Sequence, residues 1–189
     1  NGISEVITFS FHSNRAQEIL TGDTSLKISN AISDDQSFMR NSMIFNHLES
    51  AELNFKKGIK NIQLFEIGPI YNSSQSQENI LSLLISSQDD TNSIYKSVNF
   101  NFYSLTELAS KLISSLNFDI KQFNISRSTS NIYHPGQSAE VHMGKKLISR
   151  YGKVHPLIME EFPKLKNTYS IELFFENLPI ETISRINSI

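Results

Sequence analysis

Residues 134–156 read HPGQSAEVHMGKKLISRYGKVHP, two strand-like runs bracketed by the pairs His134-Pro135 and His155-Pro156. Proline presets φ and keeps the residue before it out of the helical region, so each pair is expected to form a rigid corner. Gly136 frees the backbone ahead of the first run, and Leu157-Ile158-Met159-Glu160-Glu161 reads as the opening of a short helix. The two runs, Ala139–Met143 and Leu147–Tyr151, meet across Lys145-Lys146. A turn that short joins antiparallel neighbours, since parallel strands need a long crossover.

Outward from this stretch, other runs repeat the pattern. Ile3–Phe11 is rich in β-branched and aromatic residues and predicts a strand, as do Leu26-Lys27-Ile28, Asn61–Tyr71, Ile80–Ile85, Ile120–Ile125 and Tyr169–Phe175. Along Asn61–Tyr71, period two places Ile62, Leu64, Glu66 and Ile70 on one side. A short helical patch covers Arg15–Leu20. Ser33 with Gln36 has the spacing of a capping box, and the helix it would open carries Ile44, Leu48, Ala51 and Phe55 on one face before Gly58 ends it. Ser104 with Glu107 suggests a second box, for a helix with Leu105, Leu108, Leu112 and Leu116 inward. The polar residues 72–79 and 86–97 read as loops, the latter mobile. The expectation is an α+β domain with an antiparallel sheet, its two main helices on one face.

Composition sets the boundaries. The chain has 189 residues, 39% of them hydrophobic, and a formal charge of −2, which suit one cored domain and not a fold that grips nucleic acid by its own charge. Cysteine is absent, which excludes disulfides and thiolate metal sites and suits a reducing compartment. No apolar run approaches the roughly 20 residues of a membrane helix. The missing initiator Met and the abrupt end at Ile189 suggest a domain cut from a longer chain.

The candidate chemistry is sparse. His134, His142 and His155 invite a metal, but no H-E-x-x-H or carboxylate partner accompanies them, and capping of turns is the simpler role. No nucleophile elbow and no phosphate-binding glycine loop occurs. Asp34-Asp35 suits a helix start, and Asp89-Asp90 a solvated loop. Glu66 stands apart. A carboxylate on the apolar side of a strand needs a partner, and Arg40, on the preceding helix, is the expected mate.

The order of motifs adds a family. Gly2–Phe11 resembles the "GxxEVITYSF" segment of the phenylalanine–tRNA ligase beta subunit. Ile28–Ser33 with Phe38–Met43 is similar to its "NPIS…LRTSLL", and Leu64-Phe65-Glu66-Ile67-Gly68 to "LFEIG". Tyr133–Ala139 is similar to "HHPGRSA", and Gly152–Pro156 to "GELHP". Ala31 stands in place of a proline of that pattern, and Ser149 in place of a glycine.

The resemblance implies a single catalytic-like core module over residues 1–189, a fragment of a longer beta subunit with the antiparallel fold of class II aminoacyl-tRNA synthetases. It implies a cytoplasmic two-alpha, two-beta ligase in which the alpha subunit is the partner and carries the chemistry. ATP and Mg²⁺ serve that holoenzyme, tRNA binds to it, and no cofactor or metal belongs to this fragment. The module itself is expected to be inactive. Class II sites hold ATP with an arginine two positions before a glutamate, where Leu64 precedes Glu66. They also use a glycine-rich strand ending in arginine, where Glu172 and Phe174 stand here. Arg40, Glu66, Gly68, His134, Pro135, Gly136, His155 and Pro156 are then structural residues or the remains of a pocket. Two other readings remain: a degenerate pocket for a small ligand such as an amino acid, with Glu66 and His134 as contacts, and an unrelated α+β binding domain.

Overall fold

A computed structural model describes residues 2–20, 25–74, 76–87 and 100–178. Seven strands form one sheet in the order β1-β4-β5-β9-β8-β7-β6. They are β1 (Ser4–Glu5), β4 (Ile62–Tyr71), β5 (Gln77–Ser86), β6 (Asn124–Arg127), β7 (Tyr133–Met143), β8 (Lys146–Val154) and β9 (Thr168–Phe174). All neighbours are antiparallel except β1, which pairs parallel to β4 through Ser4↔Leu64 and Glu5↔Phe65. A second small sheet joins β2 (Phe11–His12) to β3 (Phe38–Met39). The helices are α1 (Asn14–Leu20), α2 (Ile44–Lys56), α3 (Phe102–Ser115) and α4 (Pro156–Met159).

The helices α2 and α3 lie on opposite faces of the sheet, not on one. Leu83, Ile85, Ile171 and Leu173 pack with Leu105, Ala109 and Ile113 of α3. Leu84, Ile62 and Leu64 pack with Ile44, Leu48 and Ala51 of α2. The reason is visible in β9, where every residue from Thr168 to Phe174 is buried. A strand buried on both sides needs a layer on each.

Neither expected capping box forms. Ser33 opens only a single 3₁₀ turn, Asp34–Gln36, without a side-chain cap. The chain then extends as β3, because Phe38 is buried and the amides of Met39 and Arg40 find acceptors in Leu26 and Ser10. Arg40 therefore sits just before α2 and not on it. Helix α3 begins earlier than Ser104, with Asn101 Oδ1 accepting from the amides of Tyr103 and Ser104 at 2.9 and 3.1 Å. Asparagine at this position satisfies the free first-turn donors as well as serine does. Its inward stripe is Leu105, Ala109 and Ile113, with Leu108, Leu112 and Leu116 half-buried.

The strand expected over Ile3–Phe11 breaks into β1 and β2. Lys27 makes only an isolated bridge to Phe38, and residues 120–122 form a 3₁₀ turn ahead of β6. The Asp89-Asp90 pair and most of the loop expected at 86–97 fall outside the described residues.

Candidate functional site

The polar side chains of the sheet gather on the face covered by α2. In the strand registers Glu66 lies opposite Ser82, Ser82 opposite Glu172, Glu172 opposite Arg150, and Arg150 opposite Glu140. Residues opposite one another in a ladder share a face. One row carrying four charged side chains thus crosses five adjacent strands.

At the β4 end the row is closed by Arg40. Its Nη2 donates to Glu66 Oε1 at 3.0 Å, Nη1 to Thr8 Oγ1 at 2.8 Å, and Nε to the Pro69 carbonyl at 2.8 Å. Thr8 Oγ1 in turn donates to Glu66 Oε2 at 2.6 Å, and His47 Nε2 lies 3.2 Å from the same oxygen. Burial pushes the Glu66 pKa up, but hydrogen bonds from His47 and Thr8, with the charge of Arg40, outweigh it and hold the carboxyl at about 2. Gly68 is part of this fit. A Cβ there would lie 2.9 Å from Arg40 Nη2.

Further along the row, Glu172 is fully buried. Its Oε1 accepts from Ser42 Oγ at 2.7 Å, and its Oε2 from Arg150 Nε at 2.5 Å. The Arg150 guanidinium also lies 5.3 Å from the centroid of the Phe174 ring. Cation–π contact and a buried carboxylate together fix its plane.

The histidine–proline pairs lie elsewhere. His134 and Pro135 are inside β7 and make no corner. Between the pairs Tyr133↔Val154 and Ser138↔Gly152, residues 134–137 of β7 face only Lys153 of β8. Proline has no N–H for the ladder and is tolerated in strands at such bulges. His134 Nδ1 accepts from the Gly136 amide at 3.0 Å. The bulge folds onto Gly152, where a Cβ would meet Ser138 Cβ at 2.7 Å and the Gln137 carbonyl at 2.8 Å. His155 does form a corner. It caps α4, accepting from the Leu157 amide at 3.2 Å with Pro156 at the first helical position.

The row thus brings together Arg40, Glu66 and Gly68 of the residues singled out in the sequence, and leaves His134, Pro135, Gly136, His155 and Pro156 outside it. Sequence reasoning missed Thr8, Ser42, His47, Ser82, Glu140 and Arg150 as its members. Period two flagged Glu66, but only register aligns it with Arg150. Among the described residues, no group of His, Asp and Glu is arranged to hold a metal, and no helix is long and apolar enough to cross a membrane.

Residues 1–175 match the family described as the phenylalanyl tRNA synthetase beta chain CLM domain. The chain is 29% identical over 182 residues to the phenylalanine–tRNA ligase beta subunit of Zymomonas mobilis, covering 95% of this chain and 23% of that one. It is 26% identical over 170 residues to that of Fusobacterium nucleatum, covering 85% and 21%. It therefore spans under a quarter of the length of these relatives. Among solved structures, the pyrrolysyl-tRNA synthetase of Desulfitobacterium hafniense superposes with a TM-score of 0.70 at 15% identity, covering 97% of this chain and 64% of that one. The likeness establishes the fold as that of a class II synthetase.

Proposed function

Because the chain belongs to the phenylalanyl-tRNA synthetase beta chain CLM-domain family, we propose that it is a noncatalytic core module of a phenylalanine–tRNA ligase beta subunit. In this reading it supports the alpha subunit within a cytoplasmic two-alpha, two-beta assembly. ATP and phenylalanine would react in the alpha subunit with Mg²⁺ as the assisting ion, and tRNA is charged by the whole.

The observation that carries the reading is that the cations of the sheet's polar row are each paired with a carboxylate of their own, Arg40 with Glu66 and Arg150 with Glu172. A site for ATP needs cations facing the phosphates. Leu64, at the place of the phosphate-binding arginine, is buried in the core under α2. Phe174 is packed with Met43, Ile70 and Ile80, and Glu172 adds a buried carboxylate to the same strand, a charge that would repel phosphate. These residues do not fit ATP.

Support for a partner comes from the β1–β4 edge. Ile7 and Phe9 follow β1 with exposures of 88% and 72%, and Ile67 on β4 is 59% exposed. Large apolar side chains left bare together mark interaction surfaces, and relatives named as beta subunits supply the class of partner. The test is co-expression of the full-length beta chain with alpha. Ile7→Asp with Phe9→Asp is expected to abolish alpha co-purification while leaving the thermal transition of beta in place. Undiminished recovery of alpha overturns this reading.

A further inference from the structure

Arg150 also lines a cavity of about 450 Å³, in the size range of small-molecule sites. Its lining takes in the end of β4 and the turn after it, Tyr71 to Ser73, and the segment Thr129–Ile132 that leads into β7. Its floor includes the buried side chains of Ile70, Ile132 and Phe174.

Among the described residues of this lining, Arg150 alone is charged. Its Nε is committed to Glu172 and its plane rests on Phe174. The two Nη groups make no hydrogen bond to any described residue, so one edge of the guanidinium keeps its donors available. The acidic neighbours are already engaged. Glu172 is held by Ser42 and Arg150, Glu140 accepts from Ser128 Oγ at 2.8 Å and the Thr129 amide at 3.1 Å, and Glu78, which also feels the charge of Arg150, accepts from Asn177 Nδ2 at 3.3 Å.

We propose that this cavity binds a small monocarboxylate with an uncharged, apolar body. The carboxylate pairs with the free edge of Arg150, where the planar fork offers two parallel donors. The body lies against Ile70, Ile132 and Phe174. Among the described lining residues no carboxylate is placed to receive an ammonium group, so a free amino acid would bury its positive charge uncompensated. The site therefore discriminates against zwitterions. Glu66 and His134 take no part in it, the first being sealed by Arg40 and the second standing on the β7 bulge.

The test is calorimetric titration of the full-length beta chain with 3-phenylpropionate, 3-phenylpropanol and L-phenylalanine. The propionate is expected to bind, and loss of the charge-assisted pair should weaken the alcohol by about tenfold or more. L-phenylalanine should be weakened similarly. Replacing both charges, Arg150→Gln with Glu172→Gln, should remove the preference for the acid without leaving a lone buried charge. Ser73→Trp, at the exposed rim and away from the ion pair, should block all binding. Absence of heat with the propionate, equal affinity for L-phenylalanine, or binding unmoved by both variants overturns the proposal. None of these results bears on whether alpha is the partner.

Discussion

Arg40 Nη2 and Glu66 Oε1 lie 3.0 Å apart with side chains only 1% and 5% exposed, which makes the pair a charged joint inside the core between β4 and the start of α2. Removing one partner strands the other charge away from water. Glu66→Leu or Arg40→Met alone should cost about 3–5 kcal/mol, and the double variant much less than the sum. Urea unfolding of the three variants measures the coupling, and additive losses would show that the pair is not a unit.

The same carboxylate makes stability fall in acid. Its folded pKa of about 2 lies below the ordinary 4.5. The unfolded chain therefore binds the proton first, and the contribution, on the order of 3 kcal/mol, is complete above pH 4.5 and lost as pH falls toward 2. His12, lowered from 6.5 to about 4 by burial, acts earlier. Its neutral form is favoured in the folded state, so stability declines from pH 6.5 down to 4. Midpoints of unfolding between pH 8 and 2 should show both declines, and His12→Phe should flatten only the upper one.

Two glycines should rank by what surrounds them. At Gly68 an added Cβ meets the end of Arg40, but at Gly152 it meets the backbone of Gln137 and Ser138. Overpacking of this kind costs about 1–3 kcal/mol, and Gly152→Ala should be the worse because a strand must move. Thermal unfolding of both variants gives the order, and equal losses would contradict the packing.

The histidines should behave as backbone caps. His155→Ala removes the acceptor for the Leu157 amide and should cost about 1 kcal/mol, while His155→Asn should recover most of it. His134→Ala, beside the exposed Gly136, should cost less. Charging by the assembled ligase is expected to keep its pH profile in all three variants, and a shifted profile would mean that a histidine moves protons.

Much of this architecture was legible in residues taken one element at a time. Alternation along Ile62–Tyr71 placed Glu66 inward and called for Arg40, and the spacing of Ile44, Leu48 and Ala51 gave α2 its buried side. What local pattern could not supply was pairing. The Ser33–Gln36 spacing suits a helix, yet Phe38 is drawn into a strand by Phe11 and His12. His134-Pro135 has the chemistry of a corner, yet the ladder on either side stretches it into a bulge. Nothing in the local sequence singles out Arg150, and only register sets it opposite Glu172.

The most direct test of the central claim is phenylalanine-dependent ATP–pyrophosphate exchange by the purified full-length beta chain, alone and mixed with alpha. The account predicts no exchange by beta alone and full exchange in the mixture. Exchange by beta alone, above that of a buffer blank, would contradict it.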